Sequence, residues 1–292
     1  MILPFDSHNH VHMGPTPPLR ALLGPTATLT ENHQSLSPAV VSGMAIMSTH
    51  PRDFDRVLQL SKELSVQRPG VQVVPCFGVH PWFLHELTEQ DWLLSEPSQL
   101  PFWITEIEKR VRSTPGAIVG EIGLDGFHFD PDTEELVSPM DQQVEAFRLQ
   151  MELAARLEKP VSVHGVQCYG TMMPILSELK KSKTKLPPKI YFHAFGGKAG
   201  TVDQLTALCG RETGRVYFGF APVVNFRSPK TAEIVRKVGI ERLVLETDHE
   251  DAACVPQSIE ECIRFLSETL EMEEQEVIDR TTANAFDLYG LS

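Results

Sequence analysis

Apolar residues fall along this chain in eight short runs, most of them followed by a stretch with helical spacing. The runs are 2–6, Val40–Met47, Val71–Val79, Ala117–Ile122, Pro160–His164, Lys189–His193, Arg215–Phe220 and Arg242–Glu246. They are rich in Val and Ile and nearly continuous, the pattern of parallel strands buried on both faces. Between them the period changes. Phe54, Val57, Leu58 and Leu64 make one apolar stripe, and Val144, Phe147, Met151, Ala154 and Leu157 make another. Residues 169–183, 201–209, 229–238 and 256–270 also read as helices. Strand alternating with helix in this way predicts an α/β fold, a (β/α)8 TIM barrel with its chemistry at the C-terminal strand ends. An open doubly wound sheet would need a Gly-rich phosphate turn after its first strand, and His12-Met13-Gly14-Pro15 is not one. No internal repeat is visible, and residues 1–292 read as one domain. Residues 13–38, rich in Pro, Gly and Thr, are expected to form a long loop over the barrel mouth.

The first run leads into Asp6-Ser7-His8-Asn9-His10-Val11-His12. On a strand, alternate side chains share a face, so Asp6, His8, His10 and His12 are expected together. Two imidazoles two residues apart lie roughly 6.6 Å apart along a strand, close enough to converge on one metal ion. A solvated His-rich segment is the plainer alternative. The pair His8 and His10 fits the apolar run before it, while His10 and His12 would place the strand end two residues later.

Composition narrows the setting. Hydrophobic residues make up 41% and charged residues 22%, enough for a large core with an ordinary polar surface. The five cysteines, Cys76, Cys168, Cys209, Cys254 and Cys262, are scattered and form no Cys-x-x-Cys pair. That argues against a disulfide framework or a zinc knuckle, and for reduced thiols. With no signal-peptide pattern and no bilayer-length apolar run, a soluble protein of the cytoplasm or nucleus is expected, with no membrane partner. The net charge of −13 counts against a broad phosphate-binding surface. Part of it is concentrated in Glu260, Glu261, Glu268, Glu271, Glu273, Glu274, Glu276 and Asp279, on what should be solvated helix faces.

Polar residues recur where the runs end. His8 and His10 follow the first, Gly78-Val79-His80-Pro81 the third, and Gly120-Glu121-Ile122-Gly123-Leu124-Asp125 the fourth. His164-Gly165 follows the fifth, His193-Ala194-Phe195-Gly196-Gly197 the sixth, and Glu246-Thr247-Asp248 the eighth. Each has a structural reading: a hydrogen-bonded core histidine, an ion-paired Glu121, an Asp248 that caps a helix. Together, His8, His10, Glu121, His164, His193 and Asp248 at one end of one barrel point to a metal centre.

These motifs, with the tail Thr282-Ala283-Asn284-Ala285-Phe286, resemble the TatD family of metal-dependent deoxyribonucleases in the amidohydrolase superfamily. The resemblance runs from residue 6 to 248 and implies two divalent ions, of Mg²⁺, Mn²⁺ or Zn²⁺ type. His8, His10 and Asp248 would hold one ion, His164 and His193 the other, and Glu121 would bridge them. Asp248 would accept a proton from water, and His80 would bind a substrate phosphate, with Arg227 a second phosphate candidate. The implied reaction is phosphodiester hydrolysis, as a 3'-5' exonuclease on DNA ends. The chain departs from the family where Val166 stands in place of an Arg, where His249-Glu250-Asp251 follows Glu-Thr-Asp, and in the 13–38 insertion. These differences resemble a divergent eukaryotic or fungal-type branch. They keep open a hydrolase of a small amide, lactone or phosphoester, or a catalytically silent interaction protein.

Overall fold

The structure is a computed structural model that describes residues 2–15, 41–96, 99–182, 185–210 and 215–292. Most of the expected loop 13–38 lies outside the described residues. In chain order the elements begin with β1 (Phe5–Asn9), β2 (Gly43–Met47), α1 (Phe54–Gln67) and β3 (Gln72–Phe77). After a 3-10 turn at Pro81–Glu86 come α2 (Glu89–Trp92), β4 (Leu94–Ser95), β5 (Leu100–Pro101) and α3 (Phe102–Ser113). Then follow β6 (Ile118–Asp125), α4 (Met140–Arg156), β7 (Val161–Val166), α5 (Tyr169–Lys181), β8 (Ile190–Phe192) and α6 (Ala199–Cys209). The chain ends with β9 (Val216–Phe218), α7 (Pro222–Asn225), α8 (Thr231–Val238), α9 (Val255–Leu270) and α10 (Glu274–Tyr289).

Seven strands pair in parallel in the order β1-β2-β3-β6-β7-β8-β9, while β4 and β5 form a small antiparallel pair outside that sheet. The eighth barrel position differs from the expected strand Arg242–Glu246. Arg242 ends a 3-10 turn, and residues 243–248 run between the sheet's two edges without forming a regular ladder. Val244 N–H donates to the Phe218 carbonyl (3.1 Å) on one side, and Ser7 N–H donates to the Leu245 carbonyl (2.8 Å) on the other. Asp248 N–H reaches the His8 carbonyl (2.9 Å), and Asp248 itself adopts a left-handed backbone (φ 57°) that ends the run. These bonds close the barrel. Gly14 serves the same seam: a Cβ there would overlap the Glu250 carbonyl, so glycine lets the turn after β1 lie against the turn after Asp248.

Apolar faces sort into two layers. Between sheet and helices, Phe54, Val57 and Leu64 of α1 and Phe147, Met151 and Ala154 of α4 are buried, as their spacing predicts. Helix α3, which the apolar stripes did not single out, adds Trp103, Ile104, Ile107 and Val111. Inside the barrel, Phe5, Met47, Cys76, Ile118, Tyr191, Tyr217 and Val244 pack against Leu288 and Tyr289 of α10. Burying such a side chain contributes about 1.5–3 kcal/mol, so α10 is a structural floor. Asn284 fixes it, donating to the carbonyls of Ile240 (2.7 Å) and Leu243 (2.8 Å), and Tyr289 hydroxyl donates to the Ser7 carbonyl (2.6 Å). With this end plugged, the C-terminal strand ends form the open mouth.

Candidate metal centre

Glu121, buried in β6, sits at the middle of the mouth with its two oxygens facing different histidines. Oε2 lies 3.3 Å from His8 Nε2 and 3.2 Å from His10 Nε2. Those nitrogens are 3.3 Å apart, and Asp248 Oδ1 lies 3.6 and 3.7 Å from them. Ligand atoms held about 2.1 Å from one tetrahedral ion are roughly 3.4 Å from each other, so four donors here outline a metal-sized vertex set. Oε1 lies 2.6 Å from His193 Nε2 and 3.1 Å from His164 Nδ1, which are 3.3 Å apart. Yet Oε1 is buried with no hydrogen-bond partner. Imidazole nitrogens crowd it without N–H directions that meet it, as expected of atoms converging on a shared ion.

The far side of each ring decides which nitrogen is free. His10 Nδ1 is 2.9 Å from the Met47 carbonyl and His164 Nε2 is 3.0 Å from Asp125 Oδ2, both acceptors only. Each ring therefore donates outward and turns toward Glu121 the nitrogen that a metal ion would take in place of a proton. His8 Nδ1 meets Ser162 Oγ at 3.0 Å, and its ring stacks on His193 at 3.7 Å between centroids. His80 is reversed. Its Nδ1 accepts the Trp82 N–H (3.2 Å), so the neutral ring carries its proton on Nε2, 3.3 Å from Glu121 Oε1. Burial drives the His80 pKa down to about 4, which keeps it neutral. Distance alone would group His80 with Glu121 and His164. The tautomer instead makes it a hydrogen-bond donor.

Electrostatics fit a site built for positive charge. Burial disfavours protonated His10 and His164, but carboxylates outweigh it and hold both near pKa 9: Glu121 chiefly for His10, Asp125 and Glu121 for His164. Burial raises Asp248 above the ordinary carboxylate range. Although burial opposes it, the surrounding histidines keep Glu121 ionised.

The structure thus brings His8, His10, Glu121, His164, His193 and Asp248 together, with His80 beside them. His12 is not among them. Strand β1 ends at Asn9, so alternation does not extend to His12, whose Nε2 meets Asp53 Oδ2 at 3.2 Å. Asp6 also leaves the expected shared face: its carboxylate accepts from Thr247 N–H (3.0 Å), Thr247 hydroxyl (2.9 Å) and Asn9 amide (2.9 Å). It ties β1 to the closing segment, and burial raises its pKa to about 7. Arg227 is exposed and lines a neighbouring cavity, not the mouth. The mouth itself, about 190 Å³, is completed by Met13, Thr49, Trp82, Phe83 and Glu250.

Two residues here were quoted in sequence motifs without being given a role. Asp125 holds His164 and accepts from Trp82 Nε1 (2.7 Å); these bonds, against burial, keep it well below the usual carboxylate range. Glu246 accepts from Ala194 N–H (2.6 Å) and from Tyr191 hydroxyl, with His193 Nδ1 3.9 Å away. Their signal was a second acidic residue, four after Glu121 and two before Asp248.

A family model described as TatD related DNase matches residues 5–290. The chain is 24% identical to the Cut9-interacting protein scn1 of Schizosaccharomyces pombe, over 84% of this chain and 90% of that protein. It is 26% identical to Deoxyribonuclease TATDN3 of Homo sapiens, over 86% and 85% of the two chains. Among solved structures it is similar in fold to YJJV, a TatD homolog from Escherichia coli K12. That likeness has a TM-score of 0.72 and 20% identity, covering 99% of this chain and 98% of the other. The match spans both barrel edges and every strand end that carries a mouth residue, so the chain belongs to the TatD-related DNase family.

Proposed function

We propose that this metal-dependent hydrolase holds two divalent ions at the mouth and cleaves phosphodiester bonds of DNA, as a 3'-5' exonuclease at single-stranded ends. His8, His10 and Asp248 would hold one ion, His164 and His193 the other, with Glu121 between them; Mg²⁺, Mn²⁺ and Zn²⁺ all accept such mixed nitrogen and oxygen donors. Bound there, the ions would supply Lewis acidity at phosphorus and lower the pKa of water. Asp248, at the edge of the cavity, accepts the proton of the attacking water. His80 Nε2–H donates to a non-bridging phosphate oxygen, the role its tautomer leaves it. Carrying most weight is Glu121 Oε1, a buried oxygen amid imidazoles without a hydrogen bond.

Two alternatives are weaker. An interaction protein that has lost turnover would have no need of four imidazole nitrogens turned on one buried carboxylate. A hydrolase of small amides, lactones or phosphoesters would use the same donors, and the acidic Glu250 in the mouth favours it over long polyanions. Five free cysteines, four of them buried, suit a reducing compartment, cytoplasm or nucleus. No described helix is long and apolar enough to cross a membrane. The test is elemental analysis of the protein, then hydrolysis of single-stranded DNA labelled at either end with Mg²⁺, Mn²⁺ or Zn²⁺. Shortening from the 3' end is expected. A metal-loaded protein that leaves DNA intact but turns over small esters would replace this reading with the small-substrate one.

A further inference from the structure

Aromatic side chains that the fold leaves exposed follow strands β3 and β6 at one side of the mouth. Trp82, in the 3-10 turn after β3, is 39% exposed, and Phe127 and Phe129, in the loop after β6, are 59% and 47% exposed. These rings are nonetheless fixed. Asp125, the last residue of β6, organises them with both of its oxygens. Oδ1 accepts the N–H groups of Phe127 (2.7 Å) and His128 (3.0 Å). Oδ2 accepts Trp82 Nε1 (2.7 Å) and meets His164 Nε2 at 3.0 Å. The loop beyond is a short hairpin, in which Val137 N–H donates to the His128 carbonyl (3.0 Å) and Asp130 N–H to the Glu135 carbonyl (2.8 Å). The Trp82 indole lies flat on the His128 ring, with centroids 4.4 Å apart and planes at 17°. Phe127 and Phe129 meet edge to face at 6.0 Å. One carboxylate thus holds a metal-centre histidine and the aromatic rim in fixed relation. Apolar surface held in place but left uncovered marks a contact surface.

We infer that these rings are a stacking platform for the unpaired bases of the strand that is cleaved at the mouth. The inference rests on the phosphodiesterase reading of the metal centre. Continuity with the mouth identifies the occupant: Trp82 and Phe83 line the mouth cavity itself, and Trp82 carries the aromatic surface on to His128 and the hairpin. Every base has a π face, and stacking on it needs no cation, so a chain of net charge −13 can hold a strand in this way. The exposed acids of the hairpin tip, Asp132, Glu134 and Glu135, repel phosphates from that side and leave the bases to the rings. In a duplex the base faces are already stacked on one another, so the platform selects single-stranded ends.

The test compares two fluorescein-labelled phosphorothioate tetranucleotides, which resist cleavage and carry the same charge. One bears thymine throughout and the other is abasic throughout. Binding of each to the full-length protein as purified is measured by fluorescence anisotropy. The base-bearing strand is expected to bind at least about tenfold more tightly. That ratio should persist from about 50 to about 200 mM salt, since screening acts on the phosphates that both strands share. Joint Phe127→Ala and Phe129→Ala substitution should lower the ratio at least about fivefold, as should Trp82→Ala. Trp82→Phe, which keeps a ring but gives up the bond to Asp125, should restore most of it. Val66→Ala, which removes an exposed apolar side chain from α1, should leave it unchanged. Equal affinity for the two strands, or a ratio unchanged in the double Phe variant, would overturn the platform. So would a dimer in analytical ultracentrifugation that the double variant abolishes, because the rings would then face a second copy. Hydrolysis is scored separately. Cleavage of DNA with equal affinities counts against the platform alone, and a base-dependent ratio without cleavage against the phosphodiesterase reading alone.

Discussion

The two halves of the mouth share one carboxylate but are built differently. Around Glu121 Oε2, the donors His8, His10 and Asp248 come from the seam where β1 meets the closing segment, and the two histidine nitrogens lie 3.2–3.7 Å from each other and from both carboxylates. Both histidine rings are pinned from behind, by Ser162 and by the Met47 carbonyl. Around Oε1 the nitrogens lie closer, at 2.6–3.3 Å, but their rings are less completely pinned. His164 is pinned by Asp125, but His193 Nδ1 is buried without a partner, and the reversed His80 occupies the remaining side. Both halves open on the mouth, the first through His10 and Asp248 and the second through His80, His164 and His193.

Removing the shared group should erase the difference. Glu121→Ala is expected to lose metal from both halves and to lower kcat about 10⁴-fold or more, the upper end for a single catalytic group. Elemental analysis beside steady-state hydrolysis checks this. If the variant keeps both ions, Glu121 does not bridge the halves and the comparison breaks.

A smaller effect should separate chemistry from substrate binding. Asp248→Asn keeps the shape, one coordinating oxygen and a residue type that tolerates the left-handed backbone. It should fold normally, retain at least one ion and lose about 10²–10⁴-fold in kcat. His80→Ala should instead raise KM with a lesser change in kcat, because it gives up a donor to phosphate. Equal rates for wild type and Asp248→Asn would assign Asp248 to structure alone.

The smallest effects test the pinning. Ser162→Ala should weaken an ion held by His8, and Asp125→Asn an ion held by His164, each by about 10–100-fold in affinity. His12→Ala, with its side chain paired to Asp53, should leave both ions in place. Metal titration of these three variants and of His8→Ala decides. Loss of metal from His12→Ala but not from His8→Ala would move the ligand register by two residues.

Much of this arrangement was legible before any coordinates. Buried parallel strands must be apolar on both faces, so the runs and the amphipathic stripes between them were enough to predict a barrel, and strand ends were enough to locate its polar residues. Only the tertiary structure chose among residues that satisfy the same periodicity. His8, His10 and His12 alternate alike, but the strand stops at Asn9, where pairing with β2 and the bond from Asp248 N–H to the His8 carbonyl set its end. Arg227 could have faced either cavity, and the turn after β9 turned it to the second. Asp125 and Glu246 were visible as acids, but their use depends on which ring nitrogen they meet, and that is fixed by chain segments tens of residues away. Periodicity is a local property, carried by neighbours along the chain. Ring orientation and barrel closure depend on groups such as Asp6 and Thr247, whose contact spans almost the whole sequence and exists only once the chain has folded.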